Sequence, residues 1–236
     1  MSLTTEITGL TSEVRQLVNT VAAQDGLVRD KIAQLAAMVP NTSRLLYVDA
    51  AQGSDDNDGL TAATALATYD EALRRQPPGG LLEIRLLTDV GQAERRPLTA
   101  QLVRTIGWDA VANTYARRTL TPAPVATNNS GSIAAVWSHS GGIYWLRDVD
   151  ISLPAIQPDV VMVSYYDCWR GGHIVVAEAS IMSAGAYLLQ RRFGKMFAYF
   201  GNVQFAVGMD GLKFRDVPAG TDPNADRWIT TNITQN

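Results

Sequence analysis

A chain of 236 residues, 46% hydrophobic and only 18% charged, can bury a sizeable core, and its length allows one main domain plus an appendage. Its net charge of −3, with Lys and Arg scattered, leaves no basic footprint for nucleic acid. The single cysteine, Cys168, excludes an internal disulfide framework, and no run reaches the ~18 apolar residues that a membrane helix needs.

Residues 1–39 carry a narrow apolar seam. Leu3, Ile7, Leu10, Val14, Leu17 and Val21 follow one another in steps of four and three, the spacing of a heptad repeat. A second seam, Val28, Ile32 and Leu35, continues to Val39 after a phase slip near Gly26. A lone helix with so narrow a seam buries little and is marginal in water, so self-association as a coiled coil is expected in preference to an amphipathic helix packed on the chain's own body. The opening MSLTTEITGL lacks the basic and apolar regions of a signal peptide, so synthesis in a cytoplasm is expected.

Residues 40–76 form a joint. Pro40 breaks the helix, Leu45 to Val48 reads as a short strand, and Gly53 to Gly59 as a turn-rich loop. A helix is expected from Leu60-Thr61, capped by Thr61 or Thr64, with Ala65, Leu66, Tyr69, Ala72 and Leu73 as its apolar face. The cluster Asp55, Asp56, Asn57, Asp58 fails the EF-hand pattern, because Ser54 and Ala65 stand at the two strong-ligand places. Short Asp and Asn side chains also serve turns by bonding nearby backbone, and that reading is preferred.

Residues 77–236 read as β-patterned. After the turn Pro77-Pro78-Gly79-Gly80, residues 81–90 alternate through Leu82, Ile84 and Leu86. Weaker strands are expected at 106–108 and 117–120. The segments IYWLRDVDIS (143–152), HIVVAEASIM (173–182) and MFAYFGNVQF (196–205) share one shape: an apolar strand, a small or acidic interruption and a second short strand. Aligned on Ile151, Ile181 and Phe205, they repeat at intervals of 30 and 24 residues. Leu212 to Phe214 is expected to add a strand, and the tail to end irregularly. Two folds fit this pattern: a short parallel β-helix and an antiparallel β-sandwich. Near-continuous apolar runs such as Ile174 to Ala177 favour the parallel one.

Tyr47, Val48, Asp49, Gly53, Asp55, Asn57, Asp58, Gly59, Ala65 and Thr68 together resemble the entry segment at the head of right-handed parallel β-helix domains in tailed-phage fibres and tailspikes. The resemblance spans under thirty residues. It implies a mainly β homotrimer with an N-terminal coiled coil (1–39), a capping entry segment (40–76) and a β-helix body (77–236). It also implies a virion tail protein, joined through its N-terminus to other tail or baseplate proteins and meeting a host surface glycan or protein. Two further readings stand beside that one: a polysaccharide-degrading tailspike and a purely structural tail protein.

Few residues suggest catalysis. A triad of Ser138 or Ser140 with His139 and Asp148 lacks any nucleophile elbow, and the segment reads as a turn. No zinc spacing, phosphate loop or dinucleotide fingerprint occurs, so no metal and no cofactor are expected. Glycan cleavage requires paired carboxylates; Asp148 with Asp150, or Asp167 with Glu178, are the pairs to examine. Binding needs less. Trp108, Trp137, Trp145, Trp169, Tyr144, Tyr165 and Tyr166 are stacking candidates, and Tyr165, Tyr166, Trp169 and Arg170, placed in a projecting loop, are the expected receptor-binding patch.

Overall fold

The structure, a computed structural model, describes residues 42–125, 131–138, 141–155, 160–162 and 164–236. The seam expected at Leu3, Ile7, Leu10, Val14, Leu17, Val21, Val28, Ile32 and Leu35 lies outside them, as do His139 and Ser140.

The chain enters through strand β1 (Ser43–Val48), whose Leu46 and Val48 are fully buried. The acidic loop that follows is built from its own carboxylates. Asp55 accepts from the Ala67 and Thr68 amides at 3.0 and 2.9 Å and from Thr68 Oγ1 at 2.8 Å. Asp58 Oδ1 accepts from Thr64 Oγ1 and the Leu60 amide, and these bonds hold its carboxyl below the usual value. Arg75 completes the clasp, donating to the backbone oxygens of Asp55, Asn57 and Asp58. Gly53 is obligatory here, because a Cβ would stand 2.3 Å from the Leu66 carbonyl oxygen.

The helix begins later than the sequence suggests. Thr61 caps only a single 3-10 turn, Ala62–Thr64, through a reciprocal capping box with Thr64. Leu66 is then held extended by pairing with Val48, which delays the α-helix α1 to Tyr69–Arg74, with Thr68 as its cap. The expected apolar face is buried as predicted: Ala65, Leu66, Tyr69, Ala72 and Leu73 are at most 2% exposed.

From Gly80 the chain winds in circuits. The first holds β2 (Leu81–Leu86), β3 (Val90–Gln92) and β4 (Arg95–Leu98). The second holds β5 (Leu102–Asp109), β6 (Thr114–Tyr115), β7 (Arg118–Pro122), β8 (Pro124–Val125), β9 (Gly131–Ile133) and β10 (Ala135–Ser138). The third holds β11 (Ile143–Arg147), β12 (Val149–Leu153), β13 (Val160–Met162) and β14 (Ser164–Cys168). The fourth holds the long β15 (Gly172–Ser183) and β16 (Tyr187–Arg191); then come β17 (Met196–Phe205) and β18 (Ile229–Thr231).

Equivalent strands of successive circuits pair in parallel and form three stacks. The first runs β1, β2, β5, β11, the front half of β15, the front half of β17, and β18. The second runs β3, β7, β12 and the rear halves of β15 and β17. The third runs β4, β10, β14 and β16. Antiparallel pairing is confined, among the described residues, to β5–β6 and β8–β9, so an antiparallel sandwich does not describe this chain. The body is mainly β with long parallel sheets, compatible with the expected β-helix. The alignment of Ile151, Ile181 and Phe205 is the observed register.

The interruption in each repeat is a corner. Asp148, Glu178 and Asn202 all take positive φ, 53°, 53° and 50°, turning the chain from the first stack into the second. Asp and Asn tolerate this conformation better than most side chains. Asn202 Nδ2 donates to Glu178 Oε2 at 2.6 Å, tying one corner to the next.

The core is layered. Leu82, Val103, Tyr144, Ile174 and Ala198 stack in one row, and Leu46, Ile84, Thr105, Leu146, Val176 and Phe200 in the next, all buried. Helix α1 packs on β1, β3 and β4, the first described member of each stack, and so closes that end over the core. Tyr69 projects from the helix to Thr105 Oγ1 at 2.8 Å and Tyr144 Oη at 2.7 Å; Tyr144 Oη in turn meets Tyr165 Oη at 2.6 Å. Burial raises all three phenols well above their usual value, so they stay neutral.

Two expectations need correction. Leu212 to Phe214 forms no strand, only one bridge between Leu189 and Phe214, because the chain is turning there. The tail is less irregular than expected: Pro223–Ala225 is a 3-10 turn, and Ile229–Thr231 pairs with β17.

Candidate binding surfaces

Of the expected receptor patch, the structure divides the residues. Tyr165 and Tyr166 are fully buried and belong to β14, all five of whose residues are buried. A strand covered on both faces cannot present a ligand platform, so these two tyrosines are removed from the patch. The Tyr166 ring stacks on Tyr144 at 6.1 Å, and its hydroxyl donates to the His173 carbonyl oxygen. Trp169 and Arg170 do reach the surface. Trp169 sits between Trp137 and Phe193, 6.5 Å from each, with the Arg192 guanidinium 5.5 Å from its ring.

Beside this row Asp167 is 1% exposed, held by Arg95 Nη2 at 3.4 Å and Arg192 Nε at 3.3 Å. Burial lowers the Arg95 pKa, and the Asp167 charge opposes that. The other carboxylates examined for catalysis also have structural partners. Glu178 is bonded by Asn202, Asp150 accepts from the Ser180 amide at 2.6 Å, and Asp148 lies 3.4 Å from Arg147.

Cys168 is buried and its thiol is pushed up to about 11, chiefly by desolvation. Less than a few per cent of it is thiolate near neutrality. Alkylation by iodoacetamide at pH 8 is therefore expected to be negligible in the native protein and complete in urea, read by mass spectrometry. Fast native labelling would contradict the burial.

The outer face of the first stack is more open. One row there reads Glu83, Arg104, Trp145, Val175, Tyr199; another reads Ile143, His173, Phe197, Thr230. Tyr199 is 56% exposed and Phe197 39%. His173 meets the Phe197 ring edge-on at 4.7 Å. These residues, with Val175 and Asn232, line a recess of ≈ 280 Å³.

Towards the other end the same face becomes cationic. The β5–β6 hairpin carries Trp108 and Tyr115 outward, 5.7 Å apart and nearly perpendicular. Arg85 lies 3.9 Å over Trp108, Arg104 4.5 Å over Trp145 and Arg147 4.1 Å over Tyr115. Glu83 bridges the first two, at 2.9 Å to Arg85 Nε and 3.2 Å to Arg104 Nη1. A second recess of ≈ 180 Å³ opens among them. Gly107 lets the strand pass beneath the hairpin, since a Cβ would stand 2.1 Å from the Ala116 carbonyl oxygen.

Sequence reasoning named Trp108 and Trp145 as platforms but missed Phe197 and Tyr199. Their signal was available, because aligning the repeats puts Phe197 beside His173 and Tyr199 beside Val175. Tyr144, also named, is in the core. No protein-family model matches this chain, and no curated protein or solved structure is significantly similar to it.

Proposed function

We propose that this chain is a non-catalytic attachment protein of the tailed-phage fibre class, a right-handed parallel β-helix that trimerises through its N-terminal heptad seam. In this reading the N-terminus joins the protein to the tail or baseplate of the virion, and the body holds a host surface glycan. The observation that carries the reading is the outer face of the first stack. A solvated sheet face is ordinarily polar, yet this one keeps the rings of Phe197 and Tyr199 exposed side by side on β17, in register with His173 and Val175 of the neighbouring parallel strand. Aromatic faces with hydroxyl and amide groups around them suit sugar rings, which offer apolar C–H faces and polar edges. The partners already held by Asp148, Asp150, Asp167 and Glu178 favour binding over cleavage.

The test is binding of full-length protein to host cells and to their extracted surface polysaccharide. Tyr199→Ala is expected to weaken binding about tenfold, equivalent to about 1.4 kcal/mol. New reducing ends released from the polysaccharide would replace this reading with a depolymerase. Failure to bind any host cell would leave a purely structural tail protein. A monomer by light scattering at micromolar concentration would remove the trimer.

A further inference from the structure

We infer that the smaller recess, between Arg85, Arg104, Trp108 and Tyr115, is a binding site for the carboxylate group of an acidic sugar. The inference rests on the attachment reading and names the glycan chemistry that one end of the face selects.

Size comes first. At ≈ 180 Å³ the recess is below the roughly 300 Å³ at which sites for drug-sized ligands begin, so it suits one pyranose ring, not a chain. Its charge is next. Two guanidinium groups line it and only one carboxylate, Glu83, is shared between them. Around the rim, Arg147 is offset by Asp148, and Arg118, which donates to the Trp108 carbonyl oxygen, is offset by Asp109. The recess therefore keeps one net positive charge on a chain whose overall charge is −3.

Arg85 lies over the Trp108 ring and Arg104 over that of Trp145, which keeps each guanidinium against an aromatic face. Glu83 accepts from Arg85 Nε and Arg104 Nη1, and the Tyr47 hydroxyl accepts from Arg85 Nη1, so among the described residues the Nη2 group of each arginine is left for an incoming acceptor. A carboxylate brings two acceptor oxygens to such donors. Arg104 Nε is buried without a hydrogen-bond partner among the described residues, so this guanidinium is under-coordinated. Asn113 and Thr114 add amide and hydroxyl groups to the wall for a sugar's own hydroxyls.

Along the same face Arg104 and Tyr199 lie three strands apart, about 14 Å at the usual strand spacing. The face thus offers an anion-selective end and a neutral aromatic end to one extended glycan.

The experiment titrates full-length protein with sodium glucuronate, glucose, acetate and inorganic phosphate separately, following the tryptophan indole N–H resonances. Glucuronate is expected to bind in the millimolar range, with glucose and acetate at least tenfold weaker, and Arg104→Gln should abolish the response while circular dichroism stays unchanged. Equal binding of glucose, or of acetate or phosphate, would overturn the inference. So would unchanged glucuronate binding by a folded Arg104→Gln protein. Should that variant not fold, the selectivity of the unmodified protein decides alone. A chain that attaches to cells but binds no glucuronate sinks this inference and spares the attachment reading. A chain that binds glucuronate but no cell does the reverse.

Discussion

Replacing Asp167 with alanine is expected to destabilise the protein by about 3 kcal/mol. The carboxylate is 1% exposed and stands between Arg95 and Arg192. Removing one member of a buried ion cluster costs ~3–5 kcal/mol, mostly because the remaining charges stay buried without a partner. Here the low end applies, since the side chains of Arg95 and Arg192 keep 16% and 24% of their surface in water. The measurement is the urea midpoint at unchanged m-value. A triple variant, Asp167→Leu with Arg95→Met and Arg192→Leu, should recover most of the loss. The native cluster is incompletely satisfied, with Asp167 Oδ1, Arg95 Nη1 and Arg192 Nη2 lacking hydrogen-bond partners among the described residues. An apolar replacement of similar volume is then close to neutral. A loss under 1 kcal/mol for Asp167→Ala would contradict this account.

The second large effect is at Tyr144. Its ring is fully buried and its hydroxyl lies between those of Tyr69 and Tyr165. Tyr144→Ala should cost about 4 kcal/mol, the usual range for emptying an aromatic site in a core. Tyr144→Phe keeps the packing and removes only the hydroxyl, leaving two buried phenols each short of one partner, for about 1–2 kcal/mol. In a domain of this size the alanine variant should melt roughly 10 °C lower, by calorimetry. Equal losses for the two variants would show that packing around the ring contributes nothing, contrary to its burial.

The sequence made one part of this fold legible and hid another. The first two stacks could be read because each repeat carries two apolar half-strands around a residue that turns the corner: Asp148, Glu178 and Asn202. The register of Ile151, Ile181 and Phe205 followed from that shape alone. The third stack went unseen. Its strands read RRPL, AVWS, SYYDC and YLLQR, and residues such as Arg95, Asp167 and Gln190 argue locally for loops. They are stable in a sheet because their partners come from other circuits, as Asp167 finds Arg95 72 residues away. No local pattern contains that information. The same blindness placed Tyr165 and Tyr166 on the surface, since residue type alone cannot say whether a tyrosine hydroxyl will meet water or another tyrosine. Of the surface now described, Phe197 and Tyr199 could have been placed from the aligned repeats, whereas the arginines could not. Arg85, Arg104 and Arg147 became a set only once successive circuits were superposed with the hairpin carrying Trp108 and Tyr115.

The tyrosine post has a consequence for the order in which this chain matures. Helix α1 seats on β1, β3 and β4, and its Tyr69 hydroxyl reaches Thr105, 36 residues on, as well as Tyr144, 75 residues on, which meets Tyr165 in turn. A chain truncated before Tyr144 would therefore still seat the helix by packing and one hydroxyl contact, while the chain of phenols that ties the cap to the third circuit would be missing.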